Sequence, residues 1–172
     1  MTDAIRSAED FRHVDLAPLG KRVLRLGVAG NYGLTEEGYH HAASRGVNYW
    51  VWTPRFKAGT AALRDILAKD RDKHVVAMMG MALLSGGVRR DVEKSLKMLD
   101  IEYLDVFQLS WLGRTSFFTP GIQDSLREVK EEGLVRAIGT SIHDRKHAGE
   151  LARDSILDEL MIRYNAAHPG AE

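Results

Sequence analysis

Short runs of apolar residues alternate with helix-like segments along this chain, roughly one run every 25 to 30 residues. Nearly continuous apolar runs of this length are typical of strands that are covered on both faces, as in a parallel sheet. The pattern predicts an α/β fold with six parallel strands, either closed into a (β/α) barrel or open in a doubly wound sheet. The predicted strands are residues 23–28, 47–52, 74–79, 104–109, 135–140 and 159–164.

Local signals mark the helices between these strands. Thr35 and Asp144 are predicted N-caps, because their side-chain oxygens can accept a hydrogen bond from a free N–H group in the first helical turn. Pro120 fits the first turn of another helix, since proline lacks an N–H that this turn would leave unbonded anyway. Residues 61–68 and 88–99 complete the predicted set, the latter with apolar residues at the spacing of a helix that covers a sheet.

The region before the first parallel strand has a different pattern. Two apolar stretches, residues 11–16 and 21–26, flank the sequence APLG, whose proline and glycine indicate a turn. This arrangement predicts a β-hairpin. No low-complexity or linker-like segment interrupts the chain, so the sequence predicts a single domain over residues 1–172.

Charge and composition exclude several classes of partner. The chain has 24 basic and 24 acidic side chains, so its formal net charge of +0 creates no long-range field for nucleic acid or an acidic membrane surface. It contains 0 cysteines, which excludes disulfide and thiolate chemistry. No run approaches the about 20 apolar residues of a membrane span, and the first residues lack a signal-peptide core. We therefore expect a cytoplasmic protein.

Several segments, taken in order, resemble the aldo-keto reductases. They are GVNYW at 46–50, SLKML at 95–99, YLDVFQL at 103–109, LREVKEEGLVRAIGTS at 126–141 and YN at 164–165. The family's fold is a barrel of eight βα units. The resemblance therefore implies a TIM-type barrel of which an N-terminal hairpin and about six of the eight units are present. Its open edges would favour self-association, because unpaired strands expose backbone hydrogen-bonding groups.

The resemblance also implies NADPH-linked reduction of a small carbonyl substrate. In the family, loops after the seventh and eighth strands hold the cofactor's phosphates, and no positions of this chain correspond to them. We therefore expect NADP as the cofactor, bound weakly. Ser141 stands where the family's Ser-Asn pair contacts the nicotinamide, with Ile142 in place of the Asn. Met161 replaces the Gln that holds the carboxamide, and a thioether cannot donate that hydrogen bond.

The four catalytic positions of the family have all changed. Alignment on the resemblance places Val51 at the position of the Asp, Phe56 at that of the proton-donating Tyr, Gly80 at that of the Lys and Ser110 at that of the His. None of these side chains has a proton of suitable pKa to give to a developing alkoxide. Lys57, next to Phe56, could occupy nearby space. The resemblance therefore implies altered or lost catalysis.

Other residues could take over at this end of the barrel. His143 and Asp144 directly follow a predicted strand and suit a general base with its orienting carboxylate, although Asp144 also suits a helix cap and His143 a solvated loop. A metal site would need these two residues and His168 to meet by coincidence, so no metal is expected. Aromatic side chains could line a ligand pocket or only fill the core. They are Trp50, Trp52, Phe56 and Trp111.

Two functions from different classes follow. The first is an aldo-keto reductase-like oxidoreductase with altered or lost catalysis, in which Ser110, His143, Phe56 and Lys57 mark the catalytic region and Ser141 and Met161 the cofactor region. The alternative is a non-catalytic barrel that binds a small molecule or a protein partner through its aromatic side chains.

Overall fold

The computed structural model describes residues 11–165 and 167. Contacts divide the chain into two compact units, one up to Val76 and one from Ala77 onward. Each unit combines parallel strands with helices, as the alternation of apolar runs predicts. None of the helices among the described residues is long and apolar enough to span a membrane.

The first unit begins with the predicted hairpin, which the structure confirms. Strand β1 (His13–Leu16) pairs antiparallel with β2 (Lys21–Leu24). A 3-10 helix (Ala17–Leu19) joins them, and Gly20 ends it with φ of 60°, a left-handed conformation that costs glycine little.

The predicted strand at 23–28 is wrong in its extent. Its first residues belong to the hairpin, and only β3 (Val28–Ala29) pairs in parallel with β4 (Tyr49–Trp52). Gly27 lies in the chain between β2 and β3. It approaches Tyr49 closely, since a Cβ at Gly27 would be 3.1 Å from the Tyr49 carbonyl oxygen. The apolar run at 23–28 therefore contributes residues to two different sheets, which its periodicity does not indicate.

Asn48 connects the hairpin to the rest of the first unit. Its side-chain oxygen accepts a hydrogen bond from the Leu24 N–H at 2.9 Å. Its amide nitrogen donates to the carbonyl oxygens of Arg22 at 3.0 Å and Lys73 at 2.9 Å. The Asn48 backbone carbonyl accepts from the Val75 N–H at 2.8 Å. Asn48 thus joins two separate segments, residues 22–24 of the hairpin and residues 73–75. We call these hydrogen bonds the Asn48 clamp.

Two α-helices, α1 (Glu36–Ser44) and α2 (Lys57–Lys69), and a 3-10 helix (Arg71–Lys73) also lie in the first unit. The Thr35 side chain caps α1 as predicted, accepting from the Gly38 N–H at 3.2 Å. Trp50 and Trp52 are fully buried, and the Trp52 indole donates to the Thr60 hydroxyl at 3.1 Å. For these two indoles the alternative of core packing is confirmed and that of an open ligand pocket is wrong, because neither is accessible.

His74 makes the stability of the chain depend on pH. Its Nδ1 accepts a hydrogen bond from the Trp50 indole at 3.1 Å, and burial lowers the pKa of His74 despite the nearby carboxylate of Asp70. The surrounding cations, Lys21, Arg71 and Lys73, lower it further. The unfolded chain therefore binds this proton more readily than the folded chain. The stability that neutral His74 provides is present above the unfolded pKa of about 6.5 and is lost as the pH falls below it.

We expect urea denaturation to give a lower free energy of unfolding at pH 5.5 than at pH 7.5. His74→Gln, which keeps a hydrogen-bond acceptor but does not titrate, should reduce this difference. The exposed His41 offers a matched control, and His41→Gln should leave the difference unchanged. An unaltered pH dependence in His74→Gln would contradict the assignment.

The second unit contains four parallel strands in the order β5, β6, β7, β8. They are β5 (Val75–Gly80), β6 (Leu104–Leu109), β7 (Val135–Ile142) and β8 (Glu159–Ile162), and the helices between them are α3 (Ser85–Leu99), α4 (Pro120–Glu131) and α5 (Arg145–Arg153). The predicted cap Asp144 is confirmed, and so is the predicted helix start at Pro120, where the Thr119 side chain supplies the cap. The buried stripe of α3 is Val88, Val92 and Leu99, and that of α4 is Ile122, Leu126 and Val129.

Candidate active site

A cavity of about 360 Å³ lies at the carboxyl ends of the strands of the second unit. In barrels of alternating strands and helices, this is the end that carries the chemistry, because the loops there follow every strand and can vary without disturbing the core. The lining residues are Met79, Ser110, Trp111, Ser141, Ile142, His143, Met161, Ile162 and Arg163.

The strand register decides which residues of β5 face this cavity. Gly80 pairs with Leu109, and Met79 pairs with Gln108. Because side chains alternate along a strand, Met79 shares its face with Gln108 and Ser110, whereas Gly80 points to the other face. A Cβ at Gly80 would be only 2.5 Å from the ring of Phe107. Met79, and not Gly80, is therefore the β5 residue that lines the cavity.

Ser110 follows β6 and is held in place by its backbone. Its N–H donates to the Gly80 carbonyl at 2.8 Å, and its own carbonyl accepts from the Thr115 hydroxyl at 2.5 Å. The Ser110 hydroxyl has no hydrogen-bond partner among the residues that the structure describes. No adjacent base is present to make this hydroxyl a better proton donor or nucleophile.

Ser141 and Met161 lie together in the cavity. They pair directly between β7 and β8. The Ser141 hydroxyl oxygen accepts a hydrogen bond from the Trp111 N–H at 2.7 Å, so its proton remains free to be donated to another group. The Met161 sulfur beside it can donate nothing. Of this pair, only Ser141 can donate a hydrogen bond to a ligand.

Trp111 has an unusual conformation at the cavity entrance. Its φ is +50°, in the left-handed region that bulky residues rarely adopt, and its side chain is 40% exposed. The His143 ring lies 5.2 Å from the indole, and the Arg114 guanidinium lies 5.1 Å from it on a cation–π contact. Strain of this kind persists where the surrounding structure enforces it and often accompanies a ligand site.

His143 is exposed on the same cavity, whereas Asp144 has a structural task. The Asp144 carboxylate accepts from the His147 N–H at 3.1 Å and caps α5. The alternative in which Asp144 orients His143 has no hydrogen bond to support it among the described residues. His168, the third residue considered for a metal, lies outside the described residues.

The sequence model of the aldo/keto reductase family matches residues 34–167. The chain belongs to this family. An NADH-specific methylglyoxal reductase of Escherichia coli (strain K12) is 35% identical to it over 80 residues, and a glyoxal reductase of Bacillus subtilis (strain 168) is 31% identical over 77 residues. The matching segments cover 45% of this chain in both cases, but only 24% and 27% of the two relatives' length.

Solved structures confirm the fold. An aldo-keto reductase from Bacillus halodurans, in its holo form, superposes with a TM-score of 0.73 at 20% identity, over 89% of this chain and 57% of that chain. A second one, from Pseudomonas aeruginosa, gives a TM-score of 0.75 at 20% identity, over 98% of this chain and 72% of that chain. The predicted α/β fold of the TIM-barrel type is correct, and the open doubly wound alternative is not.

The other positions aligned with the aldo/keto reductase tetrad lie in the first unit. Val51 is buried on the face of β4 opposite to Trp50 and Trp52. Phe56 directly precedes α2, and its carbonyl accepts from the Thr60 N–H at 2.8 Å. Lys57 is the first residue of α2 and is exposed.

Tyr39 is a buried phenol on helix α1. Its side chain is 1% exposed, its hydroxyl has no partner among the described residues, and burial raises the pKa of Tyr39. The hydroxyl fits against Gly30 and Gly59, where added Cβ atoms would overlap it. The raised pKa makes this phenol a poorer proton donor than a free tyrosine, so it does not replace the missing Tyr.

Gln108 and Glu159 form a polar pair that the sequence analysis missed. Gln108 is 0% exposed, and its amide donates to a Glu159 carboxylate oxygen at 2.9 Å across Gly139, which pairs with both. The Gln108 side-chain oxygen has no partner among the described residues. A polar residue in the middle of the apolar run 104–109 was the available signal, because a buried amide needs a partner.

Proposed function

We propose that this chain has the function of an aldo-keto reductase-type oxidoreductase, linked to NADPH and directed to small carbonyl compounds, with altered or lost catalysis. Membership of the aldo/keto reductase family supports the reaction class. The two curated relatives are named for the reduction of methylglyoxal and glyoxal, which supports small carbonyl substrates. One relative is named as NADH-specific, so NADPH and NADH have to be compared directly.

The residues of the cavity fit the nicotinamide end of such a cofactor in part. Ser141 has a free hydroxyl proton in the cavity, suited to the carboxamide oxygen, while Met161 and Ile142 offer no polar group. Arg163 also lines the cavity and carries a charge suited to a phosphate or a carboxylate. When bound, a reduced nicotinamide supplies a hydride. The protein then has to supply the proton.

The single observation that carries the proposal of altered catalysis is the chemistry of this cavity. Of its described lining residues, only His143 has an imidazole, the side chain most often used as a general acid or base. Ser110, the tetrad position that lines it, offers a hydroxyl without an adjacent base, and Met79, the neighbour of the tetrad position Gly80, offers a thioether. We propose that any remaining carbonyl reduction takes its proton from His143.

The alternative is a non-catalytic protein that binds a ligand at the same cavity. It is favoured by Trp111, which is exposed, strained and flanked by His143 and Arg114. An indole face beside the Arg114 guanidinium suits a planar, anionic small molecule. In this alternative, the affinity for the anionic ligand is the same with and without NADPH, and the same with and without a carbonyl compound.

The test is turnover together with cofactor binding. We expect the 172-residue chain to oxidise NADPH or NADH with methylglyoxal no faster than a protein-free control. We also expect weak, saturable NADPH binding by fluorescence, which Ser141→Ala weakens about 3- to 10-fold through loss of one hydrogen bond. Ser125→Ala, a serine on helix α4 away from the cavity residues, is the matched control.

Rapid turnover by the unaltered chain would contradict altered catalysis. His143→Ala would then have to lower kcat if His143 supplies the proton. A second titration adds a planar anion and follows the fluorescence of Trp111. If this anion quenches Trp111 and NADPH does not bind, the non-catalytic alternative is favoured.

A further inference from the structure

Three side chains with metal-binding atoms converge on the surface of the first unit. Glu36 and His40 lie one turn apart on α1, and Asp65 projects from α2. One ligand atom of each residue lies within 4.8 Å of those of the other two. Glu36 and Asp65 are exposed and His40 is half-buried, so water and ions can reach the group.

Among the described residues, these three side chains have no other partner. None of them makes a hydrogen bond or ion pair with another residue in the described part of the chain. Two carboxylates that lie close together without a cation repel each other. At the surface this repulsion costs little free energy, because water screens it. The negative potential between them still stabilises a positive charge. The arrangement therefore favours a bound cation over the three side chains alone.

The chemistry of the ligand atoms determines which cation fits. Carboxylate oxygens alone suit Mg²⁺ or Ca²⁺, whereas an imidazole nitrogen shifts the preference toward Zn²⁺ and its neighbours in the first transition row. Zinc accepts three protein ligands of this kind and completes its shell with water. Zn–O distances of about 2.0–2.2 Å require these ligand atoms to approach one ion, which small side-chain movements of the exposed Glu36 and Asp65 can achieve.

We propose that Glu36, His40 and Asp65 form a site for a divalent transition-metal ion, with Zn²⁺ as the best fit. The ion links α1 to α2 and stabilises the first unit, because it binds the folded arrangement and not the separated residues of the unfolded chain. No step of carbonyl reduction involves it. The expectation of no metal rested on His143, Asp144 and His168 at the strand ends, whereas this group depends on the packing of two helices.

The test is a zinc titration of EDTA-stripped, tag-free protein by calorimetry, with ZnCl₂ as the only ligand. We expect one equivalent of Zn²⁺ to bind with the highest affinity and to raise Tm. His40→Ala and Asp65→Asn should each weaken this affinity at least about 10-fold and remove the rise in Tm, since one of three protein ligands is lost. Mg²⁺ should give neither effect at the same concentration.

The neighbouring residues provide matched controls. His41 lies next to His40 on the same helix, and Glu37 lies next to Glu36, but neither belongs to the group. His41→Ala and Glu37→Gln should keep the wild-type affinity. Absence of saturable zinc binding would overturn the proposal. So would an affinity that Asp65→Asn leaves unchanged, or one that His41→Ala reduces as much as His40→Ala does.

Discussion

Replacing Gly80 by lysine is expected to destabilise the chain severely, whereas replacing Met79 by lysine is not. A Cβ at Gly80 would be 2.5 Å from the fully buried Phe107 ring, and the rest of the lysine would have to enter the same packed space. Overpacking and an unpaired buried charge together cost at least about 3 kcal/mol in the free energy of unfolding. Met79 lines the cavity, so a lysine there can extend its ammonium to water.

Urea denaturation of both variants measures this difference. Gly80→Ala should lose about 1–3 kcal/mol, and adding Phe107→Leu to Gly80→Ala should recover part of that loss, because the two side chains compete for one volume. Equal stability of the Gly80 and Met79 lysine variants would contradict the register. The result also guides any attempt to rebuild the family's catalytic lysine, which should begin at Met79.

Asn48→Ala is expected to lower the free energy of unfolding by about 2–4 kcal/mol. The Asn48 clamp provides three side-chain hydrogen bonds, to the Leu24 N–H and to the carbonyls of Arg22 and Lys73. Each bond contributes about 1 kcal/mol, and the partly buried Leu24 N–H left without a partner adds to the loss. Thermal or urea unfolding at constant pH measures the change.

Two further variants separate the clamp from a general effect of removing an amide. Asn48→Asp keeps an acceptor for Leu24 but places carboxylate oxygen opposite two carbonyls, so it should be at least as destabilising as alanine. The exposed Asn31→Ala is a matched control and should change stability by less than about 0.5 kcal/mol. A similar loss in both alanine variants would mean that the clamp does not connect the hairpin.

The helices could be predicted because their signals are local. Thr35, Thr119 and Asp144 each cap a helix within three residues of the N–H they accept. The face of a strand residue is not local in this sense. A difference of one residue in alignment exchanges Met79 for Gly80 and reverses which one faces the cavity. The hydrogen-bonding register with β6 was needed to decide between them.

The candidate site could be predicted only where the family resemblance applied. The resemblance located Ser110, Ser141 and Met161, and the cavity brings them together. The resemblance did not indicate the hydrogen bond between Gln108 and Glu159, which are separated by 51 residues in the sequence. The group of Glu36, His40 and Asp65 was missed for the same reason, since tertiary packing supplies the third ligand. Contacts between residues so far apart in the sequence depend on the tertiary fold, and the spacing of residues along the chain does not indicate them.

The fit of the Tyr39 hydroxyl against Gly30 and Gly59 has a consequence for how this region can evolve. A larger residue at either glycine would overlap the tyrosine ring or hydroxyl, so neither glycine can change while Tyr39 remains. A smaller residue at position 39 would instead leave an empty space beside both. The three positions should therefore vary together among homologous sequences, and a homologue that has lost this tyrosine should also tolerate alanine or serine at positions 30 and 59.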